Sequence, residues 1–181
     1  NDPKIPRNDL LILMEMTMTQ LKDGGDVDKK DFLDRVDTIC SLGHHVLISN
    51  FPLFAPLHVE LRRFTDQYIC MVMGASTLPG LFDKKFYDKY AGGILAAFGN
   101  MFDEKTRLYV FPYKTDKECT TAKTYHPDPS LAHLYKYLIE NHFIKTWMTR
   151  RRLDDHQLGH NRTAFAIGVE QIAPMRGIVP R

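Results

Sequence analysis

The chain lacks any apolar segment long enough to cross a membrane. No run approaches the roughly 18 residues that a transmembrane helix needs, and the N-terminal residues lack the charged-then-apolar order of a secretory signal. Cysteine is scarce as well: Cys40, Cys70 and Cys119 are an odd number at wide spacing, which excludes a disulfide framework. These absences predict a cytoplasmic protein in a reducing compartment, with no membrane partner.

A large excess of charge of one sign is also absent. The formal net charge is +2 over 181 residues, so composition favours no nucleic-acid partner. The triplet Arg150-Arg151-Arg152 could contact nucleic acid or acidic lipid, but without interleaved aromatic residues it is more typical of a solvated face. With 44% hydrophobic and 25% charged residues, the chain is expected to fold around a core.

The sequence contains none of the glycine-rich or nucleophile motifs that identify dinucleotide, P-loop or hydrolase sites. His156 and His160 are spaced as two ligands on one helix face, yet they have no H-E-x-x-H order, and we expect no metal site. The segment Phe54-Ala55-Pro56-Leu57-His58 matches the start of an adenylyl-transfer signature, F-x-P-x-H-x-G-H. Glu60 and Leu61 replace its glycine and second histidine, so we interpret His58 as an exposed helix residue.

Three short apolar runs, at 45–50, 68–76 and 108–112, alternate with segments of helical period. Runs that are apolar on both faces and lie between amphipathic helices are typical of buried parallel strands. The pattern predicts an α/β fold of three layers, Rossmann-like, with a short, mostly parallel sheet and helices on both faces. Residues 10–21 favour a helix, with a strand at 10–14 as the open alternative.

A change of composition divides the chain into an α/β domain at 1–144 and a basic C-terminal arm at 145–181. The arm carries seven basic and three acidic residues. Its apolar run at 164–169 could add one more strand at an edge of the sheet.

Candidate ligand-binding residues follow from the fold, because ligands of parallel sheets bind outside the carboxyl ends of the strands. Ser49 and Asn50 follow the first run, Ser76 and Thr77 the second, and Lys114 the third. Hydroxyl and amide groups beside helix starts suit a phosphate or carboxylate, and Lys114 would supply a counter-charge. The alternative is that these serine and asparagine residues are ordinary helix caps and turn formers.

Several stretches resemble a family of uncharacterised bacterial proteins, some of which are labelled nicotinamide or nicotinate mononucleotide adenylyltransferases. The resemblance covers about residues 5–142 and is carried by the segments Asp31–Asp37, His45–Asn50, Arg63–Thr65, Phe82-Asp83 with Tyr87, Ala91–Leu95 and Leu108–Val110. It implies a bacterial, soluble α/β protein and carries over no catalytic residue.

Two functions are therefore expected to compete. The first is binding of a small anionic ligand, a nucleotide or phosphorylated metabolite, at the carboxyl ends of the strands. If the protein is an enzyme, nucleotidyl transfer with Mg²⁺ bridging the phosphates would use such a site. The second is a non-catalytic interaction or homo-oligomerisation domain of a larger protein, with Phe86, Tyr87, Tyr90 and Phe98 on its contact face.

Overall fold

The structure is a computed structural model that describes residues 10–18, 29–115 and 118–147, together with the backbone of 164–168. The Arg150–Arg152 triplet and the His156 and His160 pair lie outside these residues.

Within the described residues, six parallel strands form the central sheet, and the α/β class is confirmed. In chain order they are β1 (Leu10–Thr17), β2 (His45–Ser49), β3 (Ile69–Gly74), β4 (Thr106–Phe111), β7 (Ile144–Thr146) and β8 (Ala164–Gly168). Their lateral order is β2-β1-β8-β3-β4-β7, and every neighbouring pair is parallel. A separate antiparallel ribbon pairs β5 (Tyr113–Lys114) with β6 (Cys119–Thr120). The three apolar runs are thus strands β2, β3 and β4, as predicted.

Residues 10–17 form strand β1 and not the helix that their spacing favours, so the strand alternative is the right one. The physical reason is that β1 has a parallel neighbour on both sides, β2 and β8. A strand hydrogen-bonded on both sides is apolar on both faces, which removes the alternation that would distinguish it from a helix.

The C-terminal run of the sequence also belongs to the sheet. A strand within 164–169 is confirmed, but its expected place at an edge is wrong, because β8 lies between β1 and β3. Its ladder pairs Ala164 with Leu10 on one side and Phe165 with Ile69 on the other. The sheet therefore extends beyond residue 144, and the edge strands of the described sheet are β2 and β7.

Five helices connect the strands within the described residues: α1 (Lys29–Ser41), α2 (Phe54–Arg62), α3 (Leu78–Leu81), α4 (Gly93–Met101) and α5 (Ala132–Glu140). Short 3₁₀ turns occur at 75–77, 84–87 and 129–131. Gly43, with φ of 82°, follows the end of α1, and Asp128 accepts a hydrogen bond from the Ser130 amide ahead of α5. Glycine and aspartate are the residues that sequence rules expect at these two places.

The main core lies between α2, α4, α5 and one face of the sheet. Ile69, Met71 and Met73 of β3 point into it with Leu108 and Val110 of β4. Crossovers between parallel strands are right-handed. The connection from β1 to β2 crosses the sheet in the opposite direction to the connection from β3 to β4, so α1 lies on the face opposite α4. Ile39 of α1 is accordingly buried outside the main core cluster.

Three aromatic residues depart from their expected exposure. Phe64 follows Leu57 and Leu61 at a spacing that predicts an inward position on the same helix face, but it is 76% exposed because α2 ends at Arg62. Tyr87 and Phe98 were assigned to an interaction face, but both are buried, and their rings make an edge-to-face contact in the core. Of that proposed face, Phe86 and Tyr90 are exposed.

Candidate functional site

The carboxyl edge of the sheet, formed by the C-terminal ends of its parallel strands, brings the predicted residues to one side of the molecule. Ser49 is the last residue of β2 and is buried, whereas Asn50 beside it is exposed. Ser76 is exposed and Thr77 half-buried in the 3₁₀ turn that follows β3. Lys114 is exposed on the β5–β6 ribbon beyond β4.

These residues share an edge without forming one cluster. Strands β1 and β8 lie between β2 and β3, so three strand spacings, about 14 Å, separate Ser49 from the end of β3. The carboxyl edge therefore has two parts: the β1–β2 end with Ser49 and Asn50, and the β3–β4 end with Ser76 and Thr77. A ligand that contacts both parts must have the length of a nucleotide.

At the β1–β2 end, Ser49 holds a buried carboxyl group that sequence reasoning missed. The Ser49 hydroxyl donates to Glu15 Oε1 at 2.5 Å and accepts from the Phe51 amide at 3.3 Å. Glu15 is only 7% exposed. Thr17, two residues further along β1, donates from its hydroxyl to the Phe51 carbonyl at 3.2 Å. The loop after β2 is thus fastened to the end of β1 around the Glu15 carboxyl group.

The charge of Glu15 has no compensating cation among the described residues, since no Lys, Arg or His there forms an ion pair with it. Burial raises the pKa of this carboxyl group, and the hydrogen bond from Ser49 lowers it by less. Its Oε2 atom has no hydrogen-bond partner in the described part of the chain. Within the described residues, the buried side-chain atoms without a hydrogen-bond partner are His58 Nδ1 and Thr146 Oγ1.

At the β3–β4 end, the backbone and one aromatic ring form a small polar and apolar corner. Gly74 and Phe111 are register partners, and the Phe111 ring lies against Gly74 so closely that a Cβ there would be 3.2 Å from it. The Ser76 hydroxyl would be 3.3 Å from the same Cβ. Phe111 is 37% exposed. An exposed ring beside an exposed hydroxyl can accept the flat face and the polar edge of a ring-bearing ligand.

The opposite edge of the sheet contains a second buried polar group. His58 is 1% exposed, so its interpretation as an exposed helix residue is wrong: α2 turns it toward β4. Its Nε2 lies 2.7 Å from Thr106 Oγ1, and Thr106 donates to Asp103 Oδ1 at 2.8 Å. Arg62 clamps the same carboxylate with Nε at 2.8 Å and Nη2 at 3.0 Å.

Every charge of this second group is matched. Burial lowers the pKa of His58, although the nearby Asp103 carboxylate opposes that shift. Burial alone would raise the pKa of Asp103, but hydrogen bonds from Arg62 and Thr106 outweigh it, and the net shift is downward. The group lies at the start of β4, away from the carboxyl edge, where open α/β sheets do not bind ligands. We assign it to fold stability, joining α2 to β4.

Sequence patterns could have identified Glu15, because it is an acidic residue within the otherwise apolar run Leu10–Met16. A carboxyl group in a buried strand requires a partner or a function. The assignment of that run to a helix concealed the signal, since a helix would have placed Glu15 on a solvent face.

No group of three or more His, Cys, Asp or Glu residues that could hold a metal occurs within the described ranges. The described helices include none that is long and apolar enough to span a membrane. Searches of protein-family models, curated proteins and solved structures find no significant match. The resemblance to bacterial adenylyltransferase-labelled proteins therefore stays a prediction.

Proposed function

We propose that the protein binds a small anionic ligand, a nucleotide or phosphorylated metabolite, along the carboxyl edge of its sheet. The observation that carries this proposal is the parallel alignment of all six strands, which collects their C-terminal loops at one edge. Such an edge is where open α/β sheets place ligands, because the sheet holds the loops rigidly while their sequences vary.

The chemistry of the exposed groups supports an anion that carries a ring. Ser76 and Asn50 present a hydroxyl and an amide to solvent, and the Lys114 ammonium group is exposed beyond β4. Phe111 offers a ring face at the same edge. A phosphate can be bound by the polar donors while an attached base or sugar lies on the apolar surface.

Thermal unfolding of the whole chain with AMP, ATP, ribose 5-phosphate and inorganic phosphate tests this function. A ligand at a hundred times its dissociation constant stabilises the folded state by about 2.7 kcal/mol, which gives a clear shift in Tm. Ser76→Ala and Asn50→Ala should reduce the shift. Ser41→Ala, which removes an exposed hydroxyl from α1 far from the edge, is the matched control. Equal shifts in all variants would place binding elsewhere.

The competing function, a contact domain, rests on the exposed rings of Phe86 and Tyr90, beside which Lys85 lies 4.9 Å from the Phe86 ring centroid. Light scattering over a hundredfold range of protein concentration distinguishes the two. No thermal shift with any ligand, together with a concentration-dependent dimer that Phe86→Ser abolishes, would refute ligand binding and favour self-association.

A further inference from the structure

Three aromatic side chains lie near the carboxyl ends of β4 and β7, and we call them the aromatic surface: Tyr109, Phe111 and Trp147. Tyr109 and Phe111 alternate along β4, so their side chains point to the same face of the sheet. Trp147 directly follows β7, and its ring makes an edge-to-face contact with Tyr109, with ring centroids 5.6 Å apart. Because Leu108 and Val110 of β4 point into the main core, the aromatic surface lies on the opposite face.

Two rings of this surface are held in position without being buried. The Trp147 amide donates to the Val110 carbonyl at 2.7 Å, which continues the ladder between β7 and β4. The Phe111 ring packs against Gly74 of β3, where a Cβ would crowd it. Trp147 is 39% exposed and Phe111 is 37% exposed. Aromatic rings that are both fixed and exposed provide the kind of surface on which nucleobases stack.

We propose that the ligand is a nucleotide whose base stacks on the aromatic surface while Ser76 binds its sugar or phosphate; this inference rests on the proposed function. The Ser76 hydroxyl and the Phe111 ring lie within 3.3 Å and 3.2 Å of one point, the place of a Cβ at residue 74, so a single ligand can contact both. The charged residues of β3, β4 and β7 are Arg107 and Lys145, both cationic, so no carboxylate of these strands opposes a phosphate. A sugar phosphate lacks a planar ring, and the inference therefore selects nucleotides over phosphorylated sugars.

Trp147 is the single tryptophan of the chain, so its fluorescence reports on the aromatic surface directly. Adenosine and AMP should quench this fluorescence, because a base that stacks there contacts the indole ring. Ribose 5-phosphate has no planar ring and should leave the fluorescence unchanged. Titration calorimetry of the whole chain gives the affinities for AMP and ribose 5-phosphate. We expect AMP to bind roughly tenfold more tightly, since stacking on an aromatic side chain contributes at least about that factor per base.

Phe111→Leu removes one ring and keeps an apolar side chain, so it should weaken AMP binding roughly tenfold and leave the affinity for ribose 5-phosphate unchanged. Phe64→Leu makes the same change at a ring that is 76% exposed between α2 and β3, at the opposite edge of the sheet, and should alter neither affinity. Trp147→Leu, followed by calorimetry, should weaken AMP binding in the same way as Phe111→Leu. The urea midpoint of each variant without ligand checks that its fold is intact.

The outcomes for the base and for the anion can be told apart. Equal affinities for AMP and ribose 5-phosphate, without quenching, would overturn the base site and leave anion binding intact. Binding of AMP that neither Phe111→Leu nor Trp147→Leu weakens would also overturn the base site. Quenching by adenosine and AMP with equal affinities, and no binding of ribose 5-phosphate, would support the base site and refute the anion in the proposed function. Absence of binding and quenching with all three compounds would refute both.

Discussion

Ser49→Ala is the sharpest test of the β1–β2 end, because it removes the only hydrogen bond that a described residue makes to the Glu15 carboxyl group. The hydroxyl donates at 2.5 Å to a carboxyl group that is 7% exposed, so its removal leaves a buried acceptor without a donor. A hydrogen bond to a charged group contributes about 1.5–3 kcal/mol, and one to a neutral group about 0.5–1.5 kcal/mol. The two ranges predict a cost that depends on whether Glu15 is ionised.

The dependence on pH has a definite sign. Burial raises the folded-state pKa of Glu15 above 4.5, so ionisation of this group destabilises the fold as the pH rises through that folded value. Removing the Ser49 donor raises the pKa further, because that hydrogen bond favours the ionised form. Ser49→Ala should therefore cost about 0.5–1.5 kcal/mol near pH 4, where Glu15 is neutral, and about 1.5–3 kcal/mol at an alkaline pH above the folded-state pKa, where it is ionised.

Urea denaturation at the two pH values measures these costs from the midpoint and slope. The control is the cost of Ser49→Ala measured in the Glu15→Gln background. Because the amide that replaces the Glu15 carboxyl group cannot ionise, that cost should be equal at both pH values. A Ser49→Ala cost that is the same at both pH values, or larger near pH 4, would refute the argument that the Ser49 hydroxyl stabilises a buried ionised Glu15.

Three further predictions concern the rest of the fold. Gly43 and Gly92 both have positive φ, of 82° and 85°. A Cβ at Gly92 would lie 2.7 Å from Ala96 Cβ, whereas a Cβ at Gly43 would have no atom within 4 Å. Gly43→Ala should therefore lower the unfolding free energy measured in urea by about 1–2 kcal/mol, and Gly92→Ala should lower it distinctly more. Tyr87→Phe removes a 2.9 Å hydrogen bond to the buried Leu81 carbonyl and should cost about 1–3 kcal/mol with no change in the denaturant slope. Burial lowers the pKa of His58, so the unfolded chain binds its proton first and the unfolding free energy falls as the pH drops below 6.5. His58→Gln should make that fall less steep.

The parts of the fold that could be predicted from sequence are those where local signals agree. The runs at 45–50, 68–76 and 108–112 are short, apolar and bounded by turn residues, and each is a strand. Helix α1 ends before Gly43 and the 3₁₀ turn before α5 begins after Asp128, where stop and cap residues stand. No such boundary identifies β1, and its apolar residues fit two periods at once.

The position of β8 shows what local signals cannot specify. Its apolar run predicts a strand, but insertion between β1 and β3 depends on pairing with residues 154 positions earlier in β1 and 96 positions earlier in β3. Lateral strand order is a property of packing and crossover direction, which no local period encodes. The burial of His58 is missed for the same reason, because its partner Thr106 is 48 residues away.

The candidate site shows a similar division between local and distant information. Ser49 was expected at the carboxyl edge, because a hydroxyl that follows a strand is visible in the sequence. Its partner Glu15 follows from the pairing of β1 with β2, in which Thr17 lies opposite Ser49 and Glu15 opposite Leu47. The side chains of Glu15, Thr17 and Ser49 therefore share one face near the end of the strands.

The polar group around Glu15 and the one around Asp103 differ in a way that separates stability from function. Arg62 and Thr106 donate hydrogen bonds of 2.8–3.0 Å to the Asp103 carboxylate, and Arg62 also donates to the Thr106 hydroxyl at 3.2 Å. This group lies at the edge of the sheet where ligands do not bind. Around Glu15, the Ser49 hydroxyl is the sole described partner of the carboxyl group, which lies near the edge where ligands do bind. A fold gains nothing in stability from a buried, uncompensated carboxylate. Stability therefore does not explain Glu15, and its place beside Ser49 near the carboxyl edge makes it a residue on which the functional proposal can be tested.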